Sequence, residues 1–170
     1  MKIFKGARMK KLIIINGTIG VGKSTVCKEL LGRTEKSVWL DGDWCWMLNP
    51  FTVNEYNKKM VMENITYMLN NFIKNPDIEN IIFCWVIHLE EIFEEILKNL
   101  NTQNLEIIKI TLTCSKSELN KRMTVDKRDF SVIEKSIKRL NNYENMSTNK
   151  IDTTDMPVDL VVSEISEIII

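Results

Sequence analysis

Short apolar runs alternate along the chain with longer stretches in which apolar residues recur every three or four positions. KLIIIN (residues 11–16) is β-branched, brief and bounded by Gly17, which predicts a strand buried on both faces. Val26, Leu30 and Leu31 then recur at helical spacing within 23–31. SVWL (37–40) predicts a second strand. Met60, Val61, Ile65, Met68, Leu69 and Phe72 predict an amphipathic helix over 54–75, closed by Asn75-Pro76 because the residue before a proline avoids helical geometry. IIFCWVI (81–87) predicts a third strand, Ile92, Phe93, Ile96 and Leu97 a helix within 89–100, and EIIKITLTC (106–114) a fourth strand. Ser115 and Glu118 have the spacing of a capping box, opening a helix that carries Leu119 and Met123. DKRD (126–129) interrupts, and helical spacing resumes over 131–145. A fifth strand is expected near Lys150–Thr153, and Pro157 stands where the first turn of a last helix begins.

Strand–helix alternation of this kind predicts an α/β fold of three layers. Five mostly parallel strands, joined by right-handed crossovers, are covered by helices on both faces. Ligands of such sheets bind outside the carboxyl ends of the strands. The chain has 170 residues and carries no repeat or linker, so residues 10–170 are expected to form one domain after a flexible, basic tail (1–9). Met9 is an alternative start to Met1. The apolar run after the tail is too short for a signal peptide, and no segment reaches the length of a membrane span. The 23 basic and 23 acidic residues balance, so no global field recruits long nucleic acid or an anionic membrane. Cys27, Cys45, Cys84 and Cys114 form no CxxC pair. That argues against a zinc ribbon and for reduced thiols in a cytoplasmic protein, a monomer or homodimer.

The most specific chemistry lies directly after the first predicted strand. Gly17-Thr18-Ile19-Gly20-Val21-Gly22-Lys23-Ser24-Thr25 fits G-x-x-x-x-G-K-[ST], the Walker A pattern, in full. Its glycines let backbone N–H groups ring a phosphate, and the helix that follows directs its positive end at the same anion. Lys23 is suited to the β- and γ-phosphates, and the Ser24 hydroxyl to Mg²⁺. Placement between a strand and a helix is the context the motif requires, and a bound nucleoside triphosphate is the expectation.

With this loop in so short a chain, the sequence resembles the P-loop small-molecule kinases, within them the shikimate- and gluconate-kinase-like group that includes chloramphenicol phosphotransferase-like proteins. The order of elements matches over about residues 10–168, although only the phosphate loop is highly specific. The resemblance implies Mg²⁺ and ATP as cofactors and three further site segments. Asp41-Gly42-Asp43 occupies the place of an acidic pair facing the acceptor hydroxyl, where a carboxylate accepts its proton, orients it or holds metal-bound water; the competing reading is a turn capped by Asp43. Trp44, Trp46 and Phe51 would wall the acceptor pocket or simply pack between helices. Arg122 and Arg128 fall in the family's lid, here about 122–131, whose arginines close over the transferring phosphate; for Arg128 a solvated helix end competes. Asp152 and Thr153 border the adenine, or cap the last helix.

One position departs from the family. Cys84 stands where many relatives end the third strand with a metal-holding acid, which leaves Ser24, the phosphates and Asp41 or Asp43 for that task. His88, just beyond, is a second candidate for the acceptor side and ranks below Asp43. The resulting expectation is a kinase transferring the γ-phosphate of Mg-ATP to a hydroxyl of a small molecule such as a sugar acid, a nucleoside or an antibiotic-like alcohol. A nucleotide or nucleic-acid end kinase is one alternative. A nucleotide-binding regulator without turnover is another, kept open by Cys84. Asn149-Lys-Ile-Asp152 matches a guanine motif in letters only, and adenine is the expected base.

Overall fold

The computed structural model describes residues 9–170; positions 1–8 of the expected flexible tail lie outside the described residues. Leu12, Ile13, Ile14 and Ile15 are fully buried in strand β1 (Lys10–Asn16). Successive side chains of a strand face opposite ways, so this run feeds two cores. Ile13 and Ile15 pack with α1 (Lys23–Arg33), Leu12 and Ile14 with α2 (Glu55–Lys74) and α3 (Glu90–Lys98). The other strands are β2 (Ser37–Asp41), β3 (Asn80–Trp85), β4 (Leu105–Thr113) and β5 (Asn149–Asp152), and the other helices are α4 (Lys116–Val125), α5 (Phe130–Glu144) and α6 (Val158–Ile168). All strand pairs are parallel, in the order β2-β3-β1-β4-β5. The three-layer α/β fold and five-stranded sheet read from the alternation are therefore present. No described helix is long and apolar enough to cross a membrane.

Several local differences bear on the site. β3 ends at Trp85, two residues before the apolar run does, because Asn16 Oδ1 accepts the Ile87 N–H at 2.9 Å and draws the backbone out of the ladder. Residues Gly42–Trp46 form a single 3₁₀ turn, which apolar spacing did not indicate. The capping box at α4 is half formed: Ser115 Oγ accepts the Glu118 N–H at 3.2 Å, but the Glu118 carboxylate turns to Arg122, and the Ser115 N–H donates to Thr154 Oγ1 instead. α4 and α5 continue nearly through the expected lid, leaving only residues 126–129 between them.

Candidate active site

The carboxyl ends of the parallel strands lie along one edge of the sheet, and the phosphate loop leads from the central strand β1 into α1. Gly17 holds φ 145° against β4, where a Cβ would lie 2.6 Å from the Leu112 carbonyl oxygen; only glycine fits there. Gly22 caps α1 with φ 105° and supplies no side-chain acceptor, so the first N–H groups of an 11-residue helix face the loop without a side-chain partner. Lys23 curls back over the loop, donating to the Thr18 carbonyl at 3.0 Å. Burial lowers its pKa from the ordinary lysine value, with Asp43 and Asp41 among the groups opposing that shift. Thr18 itself points away, its hydroxyl donating to the Ser136 carbonyl in α5 at 3.1 Å.

The acidic pair lies across the loop. Asp41 is buried, at 7 % exposure, and its Oδ2 accepts the Ser24 hydroxyl at 2.7 Å while Oδ1 accepts the Asp43 N–H at 3.0 Å. Asp41 and Cys84 are register partners across β2 and β3, and neighbouring parallel strands run less than about 5 Å apart. A carboxylate therefore stands beside Cys84, at the end of the adjacent strand. Cys84 itself is fully buried and accepts the Trp39 indole N–H at 3.3 Å. A hydroxyl and a buried carboxylate 2.7 Å apart, facing no cationic side chain in an ion pair among the described residues, fit Mg²⁺ held by one protein oxygen and by water.

Asp43 is open to solvent on one side, yet its carboxylate is desolvated enough to raise its pKa, and the Asp41 charge adds to the rise. The charge of Lys23, the neighbouring Trp85 and the charge of Arg128 act in the opposite sense. Asp43 is therefore an electrostatic neighbour of both Lys23 in the phosphate loop and Arg128 between α4 and α5. Arg122 is placed differently from the expectation. Its Nε donates to Glu118 at 2.9 Å, Nη1 to the Val21 carbonyl at 3.3 Å and Thr153 Oγ1 at 3.0 Å, and Nη2 to the Thr153 carbonyl at 2.6 Å. These bonds engage its fork on the base side and tie the phosphate loop to the loop after β5.

A groove of about 420 Å³ opens beside those bonds, lined by Thr25, Arg122, Thr153, Met156, Pro157 and Val161 among others. Its apolar walls and its contact with Gly20 and Gly22 suit a flat base. Asp152 does not line it; Oδ1 instead accepts the Thr154 N–H at 2.9 Å and hydroxyl at 2.5 Å, closing a turn. A second groove, about 570 Å³, lies between α2 and α3 and reaches the ends of β3 and the 3₁₀ turn at Trp85 and Trp46. Trp46 and His88 line it, whereas Trp44 packs against Trp39 with tilted rings whose centroids lie 4.9 Å apart and stays half exposed. Trp85 also lines it and was missed by the sequence reading; a tryptophan at the end of a buried strand was the signal available.

Residues 13–145 match the family model described as AAA domain. The guanylate kinase of Prochlorococcus marinus subsp. pastoris is 32 % identical over 183 residues, spanning 95 % of this chain and 97 % of that protein. Among solved structures, the gluconokinase of Sinorhizobium meliloti 1021 superposes with TM-score 0.68 at 17 % identity, covering 92 % of this chain and 90 % of that one. The tunicamycin resistance protein of Deinococcus radiodurans superposes with TM-score 0.69 at 15 % identity, covering 93 % and 94 %. At these identities the structural matches establish a shared fold.

Proposed function

The chain belongs to the AAA-domain family, and from that premise we propose that it is an ATP-dependent kinase acting on a hydroxyl of a small molecule. The observation that carries the proposal is the Ser24–Asp41 contact of 2.7 Å beneath a complete phosphate loop, with Asp43 two residues further on. Mg²⁺ would be held by Ser24 and, through water, by Asp41, and would neutralise phosphate charge when bound. Lys23 binds the β- and γ-phosphates, and Arg128, near enough to Asp43 to stabilise its charged form, faces the transferring group from the lid side. Asp43 accepts the acceptor's hydroxyl proton as the new P–O bond forms and the bond to the departing ADP oxygen breaks. Arg122 is a positioning residue that holds the base groove together, and Thr25 and Thr153 border the base.

A direct test is the formation of ADP and a phosphorylated product from ATP with a panel of alcohols. Substrate-dependent ADP release that vanishes in Lys23→Met supports the reading, and a Lys23→Met protein with undiminished transfer removes it. The likeness to a guanylate kinase favours a second reading, a nucleoside monophosphate as acceptor, tested by adding GMP to the same assay.

A further inference from the structure

The groove between α2 and α3 carries more information about the acceptor than the family does. Its floor and one wall are apolar: Trp46, Met62, Trp85 and Ile92. Trp85 joins this groove to the reaction centre. Its side chain is near enough to Asp43 to favour the charged carboxylate, and it presses so closely on Gly42, the residue before Asp43, that a Cβ there would lie 2.5 Å from Cγ. An acceptor seated in the groove therefore lies beside the proposed base.

The charges around the groove are matched to one another. Lys58 donates to Glu55 at 2.8 Å, and Lys59 stands 3.8 Å from Glu63, each pair on α2 itself. Glu95, from α3, lines the groove and has no ion-pair partner among the described residues. Three carboxylates thus face two ammonium groups. His88 adds no positive charge at neutral pH, since burial first and Arg139 second hold its pKa below the ordinary histidine value. Arg139 is felt by His88 but does not line the groove. A phosphate or carboxylate brought here meets, among the described lining residues, no cation outside an ion pair and one carboxylate outside one, an arrangement that selects against anions.

Resting on the kinase reading above, we infer that the acceptor is an alcohol on an apolar or aromatic body that carries neither phosphate nor carboxylate. The aromatic surface supplied by Trp46 and Trp85 stacks such a body, and Glu95 tolerates an uncharged or cationic edge. A nucleoside monophosphate or a sugar acid is disfavoured, despite the likeness to a guanylate kinase and to a gluconokinase.

Calorimetric titration of the chain loaded with a non-hydrolysable ATP analogue decides the matter. The probes are three neutral alcohols (guanosine, thymidine and 1-phenylethane-1,2-diol) and two anions (GMP and gluconate). At least one neutral probe is expected to bind at least about tenfold more tightly than either anion. Glu95→Lys, a change at an exposed position, is expected to tighten GMP at least about tenfold and so to narrow or remove the preference for guanosine over GMP. Tighter binding of GMP or gluconate by the unaltered chain overturns the inference, as does absence of binding by every neutral probe; if Arg139→Gln then abolishes the anion binding, Arg139 is the cation responsible. A chain that transfers phosphate from ATP only to the anions sinks this inference and leaves the kinase reading standing. One that binds the neutral probes yet never turns over ATP sinks the kinase reading and leaves only the groove's preference for uncharged ligands.

Discussion

Burial pulls Lys23 toward neutrality, yet its task is to meet phosphate as a cation. Its pKa lies below the ordinary lysine value in the folded chain, so between the folded and unfolded values the unfolded chain binds more protons and stability rises with pH. Below the folded value the cost of the buried charge is present in full. Lys23→Met removes both the cost and the phosphate contact. Transfer should fall about 10²–10³-fold, stability at neutral pH should change by no more than about 1 kcal/mol, and the alkaline rise in stability should disappear from denaturant titrations. Asp43 has the opposite sign. Desolvation first, and Asp41 second, raise its pKa, so the folded chain holds its proton to higher pH than the unfolded one. Stability from this group is present at low pH and is lost as pH rises through the folded value. A base must be deprotonated, so the acid limb of the pH–rate profile should lie above the usual carboxylate range. Asp43→Asn should lower kcat by about 10²–10⁴, flatten that limb and leave ATP-analogue affinity intact. Full turnover with a lowered melting temperature would instead make the segment a capped structural turn.

The elements that carry these residues differ in how well the sequence announced them. α4 was marked by its Ser115 cap, α6 by Pro157 and β5, exposed except at Ile151, by its place in the order of elements. Apolar spacing located β1–β4, α1, α2, α3 and α5 to within a few residues, because each of these has residues buried in one of the two cores. It missed the 3₁₀ turn at Gly42–Trp46, whose conformation is imposed by packing rather than by period. Gly42 lies under the Trp85 ring, a contact between segments more than forty positions apart. Gly42→Ala should displace that indole at a cost of about 1–3 kcal/mol, read as a lower melting temperature, and should weaken acceptor binding more than ATP-analogue binding. The resemblance read Arg122 as a phosphate clamp because it marks a place in a helix, not a hydrogen-bond partner. Its bonds to Val21, Thr153 and Glu118 give a different expectation. Arg122→Lys loses the planar fork and should raise KM for ATP several-fold with kcat nearly kept; a loss confined to kcat would return Arg122 to the transferring phosphate.

At the scale of the whole molecule, one groove borders the phosphate loop and another lies between α2 and α3, and the chain reaches each by a different route. The base groove is built from the phosphate loop, α4 and the β5–α6 loop, segments that motif and order of elements had already brought together. The acceptor groove depends on charges from α2 facing charges from α3, a pairing that no local pattern encodes, so the acceptor's chemistry was not legible until the chain was folded. The base groove also bears on the choice of nucleotide. The letters Asn149-Lys-Ile-Asp152 invite a guanine reading, but Asn149 begins β5 opposite Ile110, three positions before the strand's ligand-side end. The Asp152 oxygen Oδ1 is committed to both the N–H and the hydroxyl of Thr154, and neither residue lines the groove. Guanine presents an N–H and an exocyclic amino group that seek a carboxylate, and the groove presents none that is placed to receive them except Asp126 at its lid-side rim. An ATP analogue with Mg²⁺ at about 100 Kd should add about 2.7 kcal/mol, which for a chain of this length is a rise in Tm of roughly 5–11 °C. A GTP analogue at the same concentration should give less than about half that rise. A GTP shift equal to or larger than the ATP shift would make Asp126 the guanine-reading group, and Asp126→Asn should then abolish the difference.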